Sequence, residues 1–258
     1  MQLKGVTKKY RHPVVDHVDL EVSKHRLTSF IGPNGAGKST LLGMMSRLLP
    51  KDEGFIYING QEVEVWNSTE LAKELAVLKQ NQQVHVSMTV EEFVRFGRFP
   101  YTKGKITKED ERIVEEAIVN TNLTSFRTQD IGTLSGGQYQ RALIAMVLAQ
   151  DTEWILLDEP LNHLDLKQAY EVMNLLRFLV DEKEKSIVIV MHDLNMASNF
   201  SDDIGCFKNG KCIIHDTVDK VMKDDVLSAL YEIPLEVVEM NGKKICIIKN
   251  GELEWKKF

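Results

Sequence analysis

LTSFIGPNGAGKST, residues 27–40, joins a short, largely apolar run to a glycine-rich turn that ends in Lys38, Ser39 and Thr40. The apolar part is the right length for a buried strand. Gly32 and Gly37, followed by Lys38 and Ser39, fit the spacing G-x-x-x-x-G-K-[ST] between a strand and a helix. Glycines let such a loop wind until successive backbone N–H groups face one point, which suits phosphate oxygens. Lys38 adds a positive charge at the β- and γ-phosphates, Ser39 offers a hydroxyl to Mg²⁺, and the helix beginning near Lys38 contributes its positive dipole end. The loop as a whole, Gly32, Pro33, Asn34, Gly35, Ala36, Gly37, Lys38, Ser39 and Thr40, is thus the candidate nucleotide cradle.

Working outward, Leu41, Leu42, Met45, Leu48 and Leu49 have helical spacing, and Pro50 ends the run. Upstream, residues 3–22 alternate apolar and polar positions as antiparallel strands do, and residues 55–58 alternate into the hairpin signal Asn59-Gly60. Residues 89–150 read as mostly helical, with capping boxes at Thr89/Glu92 and Thr107/Asp110 and a loop-like break at 97–105. Strand and helix then alternate: 155–157, 166–181, 187–191 and 194–200, a pattern that predicts a parallel sheet covered by helices. The stretches 204–214, around Asn209-Gly210, and 244–248, before Asn250-Gly251, read as hairpin strands. The expected organisation is α/β: a core of residues 1–84 and 151–258 with an antiparallel β subdomain, and an inserted helical block at 85–150.

Of the 258 residues, 43% are hydrophobic and 27% charged, so a large globular core is expected. The net charge of -6 argues against nucleic-acid binding through bulk charge. No run approaches the ~20 apolar residues that span a bilayer, and the start MQLKGVTKKY lacks the apolar segment of a secretory signal. Cys206, Cys212 and Cys246 have no metal-ligand spacing and are expected to be buried and reduced.

Four further elements follow the loop. Gln80 stands in LAVLKQ. LSGGQ, residues 134–138, places Ser135, Gly136, Gly137 and Gln138 before a helix, which is a second anion nest. WILLDEP, residues 154–160, ends an apolar strand on Asp158, where a carboxylate can reach Mg²⁺ through water. Glu159, one residue on, is expected to point the other way in an extended chain. His192 follows a second apolar strand, where a neutral imidazole can hydrogen-bond a γ-phosphate. One γ-phosphate hardly needs two nests from the same domain.

This order resembles the ATP-binding cassette (ABC) ATPases, and the likeness spans nearly the whole chain. It implies a P-loop NTPase, RecA-like cassette core with the antiparallel and helical subdomains above. It implies ATP and Mg²⁺ as ligands, with Lys38, Glu159 (general base or water-orienting group), His192 (switch histidine) and Gln80 as catalytic residues. Ser39, Gln80 and Asp158 would serve the metal. LSGGQ would grip ATP held by a second copy, so a head-to-tail homodimer that closes on ATP is expected, with LNHLD, residues 161–165, crossing the interface. Two readings stand for Tyr10, stacking on adenine or ordinary packing, and two for Gln80, given Gln82 and Gln83 nearby and Lys79 where the family has proline. Tyr139 and Asn162 also depart from the usual motifs.

Within the family, TVEEFVRFGRFPYTKG, LSGGQYQRALIAMVLAQD, LLDEPLNHLDLK and MHDLNMAS resemble most the ATPases of bacterial iron–siderophore importers of type II. That likeness implies separate transmembrane permease subunits, an extracellular substrate-binding protein beyond them, and a place on the cytoplasmic face of the membrane. Phe93, Phe96, Phe99, Pro100 and Tyr101 are candidates to line a groove for the permease, or else to pack within the helical block; Arg95 and Arg98 are placed at the same contact. Same-branch importers of cobalamin, haem or another metal chelate share these features. ABC ATPases acting on DNA or ribosomes carry long coiled coils or paired cassettes, and P-loop kinases lack LSGGQ.

Overall fold

The computed structural model describes residues 1–79, 87–102, 105–162 and 164–249. The chain opens with β1 (Gln2–Lys9), β2 (Pro13–Glu21), β3 (Leu27–Ile31), α1 (Lys38–Met45), β4 (Glu53–Ile58), β5 (Gln61–Glu62), α2 (Ser68–Glu74) and β6 (Leu75–Leu78). Helices α3 (Val90–Arg95), α4 (Phe99–Thr102), α5 (Lys108–Asn120) and α6 (Gly136–Ala149) then precede β7 (Trp154–Asp158). The remainder is α7 (Leu166–Lys183), β8 (Ser186–Val190), α8 (Leu194–Phe200), β9 (Asp203–Lys208), β10 (Lys211–Thr217), α9 (Val218–Val221), α10 (Asp224–Tyr231), β11 (Leu235–Met240) and β12 (Lys243–Ile248).

Strands β2-β1-β4-β5 form an antiparallel sheet, and β10-β9-β3-β8-β7-β6 a larger one in which only β10 runs antiparallel to its neighbour. Strand alternation sends Ile155, Leu157, Ile187 and Ile189 to one face, where they share an apolar cluster with Val94, Ile118, Ile144 and Met173. Phe30, Leu156, Val188 and Phe207 go to the other face, against Leu41, Leu42, Leu3 and Ile56. Both faces are covered, so β7 and β8 are buried at every position.

The expected capping boxes are present: Thr89 caps α3 with Glu92, and Thr107 caps α5 with Asp110. Three expectations are corrected. Helix α1 stops at Met45 rather than continuing through Leu48 and Leu49, because Arg47 turns left-handed (φ 57°). Its guanidinium then reaches the carbonyls of Val63 and Trp66 and the hydroxyl of Ser68. The break at 97–105 contains the single-turn helix α4. The last hairpin turns at Asn241-Gly242, both with positive φ, and pairs β12 with β11, a strand not expected from the sequence.

A candidate nucleotide site at the ends of the parallel strands

The parallel strands β3, β7 and β8 deliver their carboxyl ends to one place, where ligands of open α/β sheets bind. Beyond β3 the loop needs glycine for two separate reasons. Gly32 has φ 142° and Gly37 φ 95°, values that L side chains avoid. A Cβ on Gly32 would stand 2.0 Å from the carbonyl oxygen of Phe207, and one on Gly37 2.4 Å from that of Val14. The loop, with Val14, Glu159 and His192, walls a cavity of about 360 Å³ that takes in Asn34, Gly35, Ala36, Gly37, Lys38, Ser39 and Thr40.

Lys38 is buried at 5% exposure, and its Nζ donates to the carbonyls of Gly32 (2.7 Å) and Pro33 (2.9 Å). Burial holds its pKa below the usual lysine value, while Glu159 and Asp158 push the other way. The Ser39 hydroxyl donates to Oδ1 of Asp158 at 2.8 Å.

Glu159 differs from the expectation of an extended chain. Its φ is 50°, and its N–H donates to the carbonyl of Val190 on β8 at 3.1 Å. That bond turns the backbone at the strand end, a left-handed conformation that costs about 1–2 kcal/mol in a residue with a Cβ. The Asp158 carboxylate accepts from Ser39, whereas that of Glu159 is taken up by His192 and Asn162. Oε1 of Glu159 lies 2.7 Å from Nε2 of His192, and Oε2 accepts from Nδ2 of Asn162 at 2.8 Å. His192 is held between β8 and α8, whose first amides, Asn195 and Met196, donate to the Asp193 cap.

The second nest lies elsewhere. Ser135 caps α6: its hydroxyl accepts from the Gln138 N–H, and the Gln138 side chain accepts from the Ser135 N–H. Ser135 and Gly136 are exposed, and a Cβ on Gly137 would meet Oε1 of Gln168 at 2.6 Å. None of Ser135, Gly136, Gly137 or Gln138 walls the phosphate cavity, so one chain does not bring the two nests together. Tyr10 is 64% exposed just past β1 and outside the cavity wall, which rules out its packing in the core. Gln80, with Gln82 and Gln83, lies outside the described residues, as does His163 of LNHLD. Val14 and the Asn162 contact were missed from the sequence. The proximity of residue 162 to Glu159 was the available signal for the second.

A second hollow, of about 390 Å³, is lined mostly by apolar surface, with Met88, Phe96, Phe99 and Ile106 in its wall beside Arg95 and Glu92. Phe96 and Phe99 are exposed and Phe93 is buried. Tyr101 instead packs its ring on the Arg98 guanidinium, 4.1 Å away, and donates to the Lys73 carbonyl. Arg98 is not a surface charge as expected. It is 6% exposed and donates to Asp110 (2.8 Å) and to the Ala149 carbonyl (3.0 Å), tying α5 to the end of α6.

A glycine cradle between strand and helix, facing two carboxylates and a histidine on neighbouring parallel strands, defines a P-loop nucleoside triphosphatase. The family model described as ABC transporter matches residues 15–162, and the chain belongs to that family; it is a nucleotide-binding ABC ATPase. It is 45% identical over 246 residues to the petrobactin import ATP-binding protein YclP of Bacillus subtilis, covering 95% of this chain and 98% of the relative. It is 43% identical over 240 residues to the petrobactin import ATP-binding protein FatE of Bacillus anthracis, covering 93% and 96%. Among solved structures, the ATP-binding cassette MJ0796, a dimer in a post-hydrolysis state bound to ADP and phosphate, superposes with a TM-score of 0.76 at 31% identity over 84% of this chain and 98% of that one.

Proposed function

We propose that this chain is the ATP-hydrolysing subunit that powers import of ferric siderophores through a separate transmembrane permease. The observation that carries the reading is the identity to two petrobactin import ATP-binding proteins over more than nine-tenths of each chain. No helix among the described residues is long and apolar enough to cross a membrane, in keeping with a permease made of other chains.

In this reading the loop amides and Lys38 hold the phosphates, Lys38 exchanging its two carbonyl partners for phosphate oxygens. Glu159 orients or deprotonates the attacking water, and His192 steadies both that carboxylate and the γ-phosphate. Ser39 and Asp158 present hard oxygen donors 2.8 Å apart, a set that fits Mg²⁺ together with phosphate oxygens. Mg²⁺ would neutralise charge developing on the phosphates. Gln80 and Tyr10 keep their assigned parts toward metal and adenine.

Two copies close on ATP, each lending Ser135, Gly136, Gly137 and Gln138 to the nucleotide on its partner. Separation of the two nests in one chain and the dimeric solved cassette both support this. The hollow bounded by Phe96, Phe99 and Arg95 receives a helix of the permease, its apolar floor suiting a buried interface core. The substrate-binding protein acts from the far side of the membrane.

Reconstitution with the permease in proteoliposomes tests the reading. ATPase stimulated by a loaded ferric-siderophore binding protein, with iron uptake, is the expected result. Stimulation by haem or cobalamin alone would reassign the cargo, and loss of all coupling would remove the transport role.

A further inference from the structure

The C-terminal elements reach the phosphate loop through Tyr231 and helix α8 through β12, and their own contact residues, Tyr231, Lys244 and Cys246, lie beyond residues 15–162 matched by the family. The first is Tyr231, the last residue of α10. Its hydroxyl accepts from the N–H of Gly32, 3.1 Å away. That N–H stands just past the last β3 pairing, Ile31 with Cys206, so the ladder supplies it no partner. The Gly32 carbonyl meanwhile holds Lys38, which makes Gly32 the joint between Tyr231 and the phosphate-binding lysine. Burial keeps the phenol protonated, so it meets the amide as a neutral hydroxyl. Lys208 of β9 fixes this end of α10 by donating to the Ala229 carbonyl.

The second contact is Asn195, one turn after His192. Its side chain accepts from the Cys246 N–H at 2.8 Å and donates to the Cys246 carbonyl at 3.3 Å, matching the edge of β12 as a strand would. Ser198 repeats the grip on the Lys244 carbonyl. Asp224 links the two contacts, accepting from the Val237 N–H, and Ser228 accepts from the Leu235 N–H, so α10 is tied to the β11–β12 hairpin.

We infer that this C-terminal piece is a brace that sets the nucleotide site from behind, Tyr231 positioning the phosphate loop and Asn195 positioning His192. Neither residue walls the phosphate cavity, so both are positioning residues. The inference rests on the site described above and divides its labour. Tyr231 acts through the ground-state grip on phosphate, and Asn195 through the hydrolysis step.

Steady-state kinetics and binding of a fluorescent ATP analogue on the full chain test it. Tyr231→Phe leaves the Gly32 N–H without a partner and is expected to raise KM and weaken nucleotide binding about tenfold, with kcat little changed. Asn195→Ala is expected to lower kcat about fivefold, with binding unchanged. Asp224→Asn, which loosens the brace at a distance from the site, serves as the stability control and is expected to lower Tm without that split. If all three variants lower Tm and change kcat and KM together, or if none changes either constant, the brace is overturned. Loss of hydrolysis in Glu159→Gln beside an unaltered Tyr231→Phe would sink the brace alone; full hydrolysis in Glu159→Gln would sink the site reading beneath it.

Discussion

Nδ2 of Asn162 donates to Oε2 of Glu159 at 2.8 Å, while Oε1 of the same carboxylate stands 2.7 Å from His192. Each oxygen of the proposed base is thus held from a different segment, one after β7 and one after β8. Holding a carboxylate at both oxygens restricts its rotamers and lowers the reorganisation needed when water arrives. Asn162→Ala is expected to reduce ATP turnover about tenfold while leaving nucleotide affinity intact. Phosphate release and equilibrium binding, measured on the same preparation, check it.

For Glu159→Gln the expected loss of turnover is about 10²–10⁴-fold, the usual scale for removing a general base. Binding of ATP should persist, and the particle should weigh as a dimer in light scattering when ATP is present. A single-chain mass under saturating ATP would count against the proposed sandwich.

Arg98 and Asp110 form an ion pair with both side chains nearly inaccessible. Leaving one charge of such a pair unmatched costs about 3–5 kcal/mol, so Arg98→Ala should lower Tm by several degrees. Desolvation pushes the Asp110 pKa up, but the Thr107 hydroxyl and N–H and the Arg98 guanidinium outweigh it and hold it below 3.8. A depressed carboxyl pKa gives stability that is fully present above pH 3.8 and lost as pH falls through the lower folded value. Acid denaturation followed by circular dichroism should show Asp110→Asn losing part of the pH dependence in that window.

At the second hollow, Phe96→Ala, Phe99→Ala and Arg95→Glu should abolish transport in proteoliposomes and leave the ATPase of the isolated chain within about twofold. Among the described residues Arg95 is ion-paired to Glu91 alone, a half-exposed i,i+4 contact of the kind worth about 0.2–1 kcal/mol, so folding is not expected to suffer much. Parallel loss of ATPase and transport would contradict a docking role.

Burial raises the thiol of Cys206 to about 12 and that of Cys212 to about 11. At pH 8 about one Cys212 in 10³ is a thiolate, and fewer for Cys206. Both should resist iodoacetamide in the native protein and react once it unfolds in urea, as mass spectrometry of time points would record.

Where local chemistry decides, the sequence was readable. Thr89 with Glu92, Thr107 with Asp110, and Gly37 before Lys38 each carry their own hydrogen-bonding or steric reason, and each element falls where expected. What escaped depends on distant partners. Arg47 ends α1 for contacts with residues 16 to 21 positions away, and the Val190 carbonyl on another strand turns Glu159 over. Arg98 looked like a surface charge until α5 and α6 enclosed it. Strand β11 is different: Asn241-Gly242 between two apolar runs is itself a hairpin signal, while Asn250-Gly251 lies outside the described residues.

Helices α3, α5 and α6 share one continuous apolar cluster with the strands and with α7. Parting them would wet Val94, Ile118 and Ile144, each of which costs about 1.5–3 kcal/mol to expose. A movement that carries the nucleotide signal outward has a cheaper route in lateral slippage of one packed layer over another, a few ångströms of shear with the grease kept sealed. Such a lever transmits small displacements without ever opening a seam.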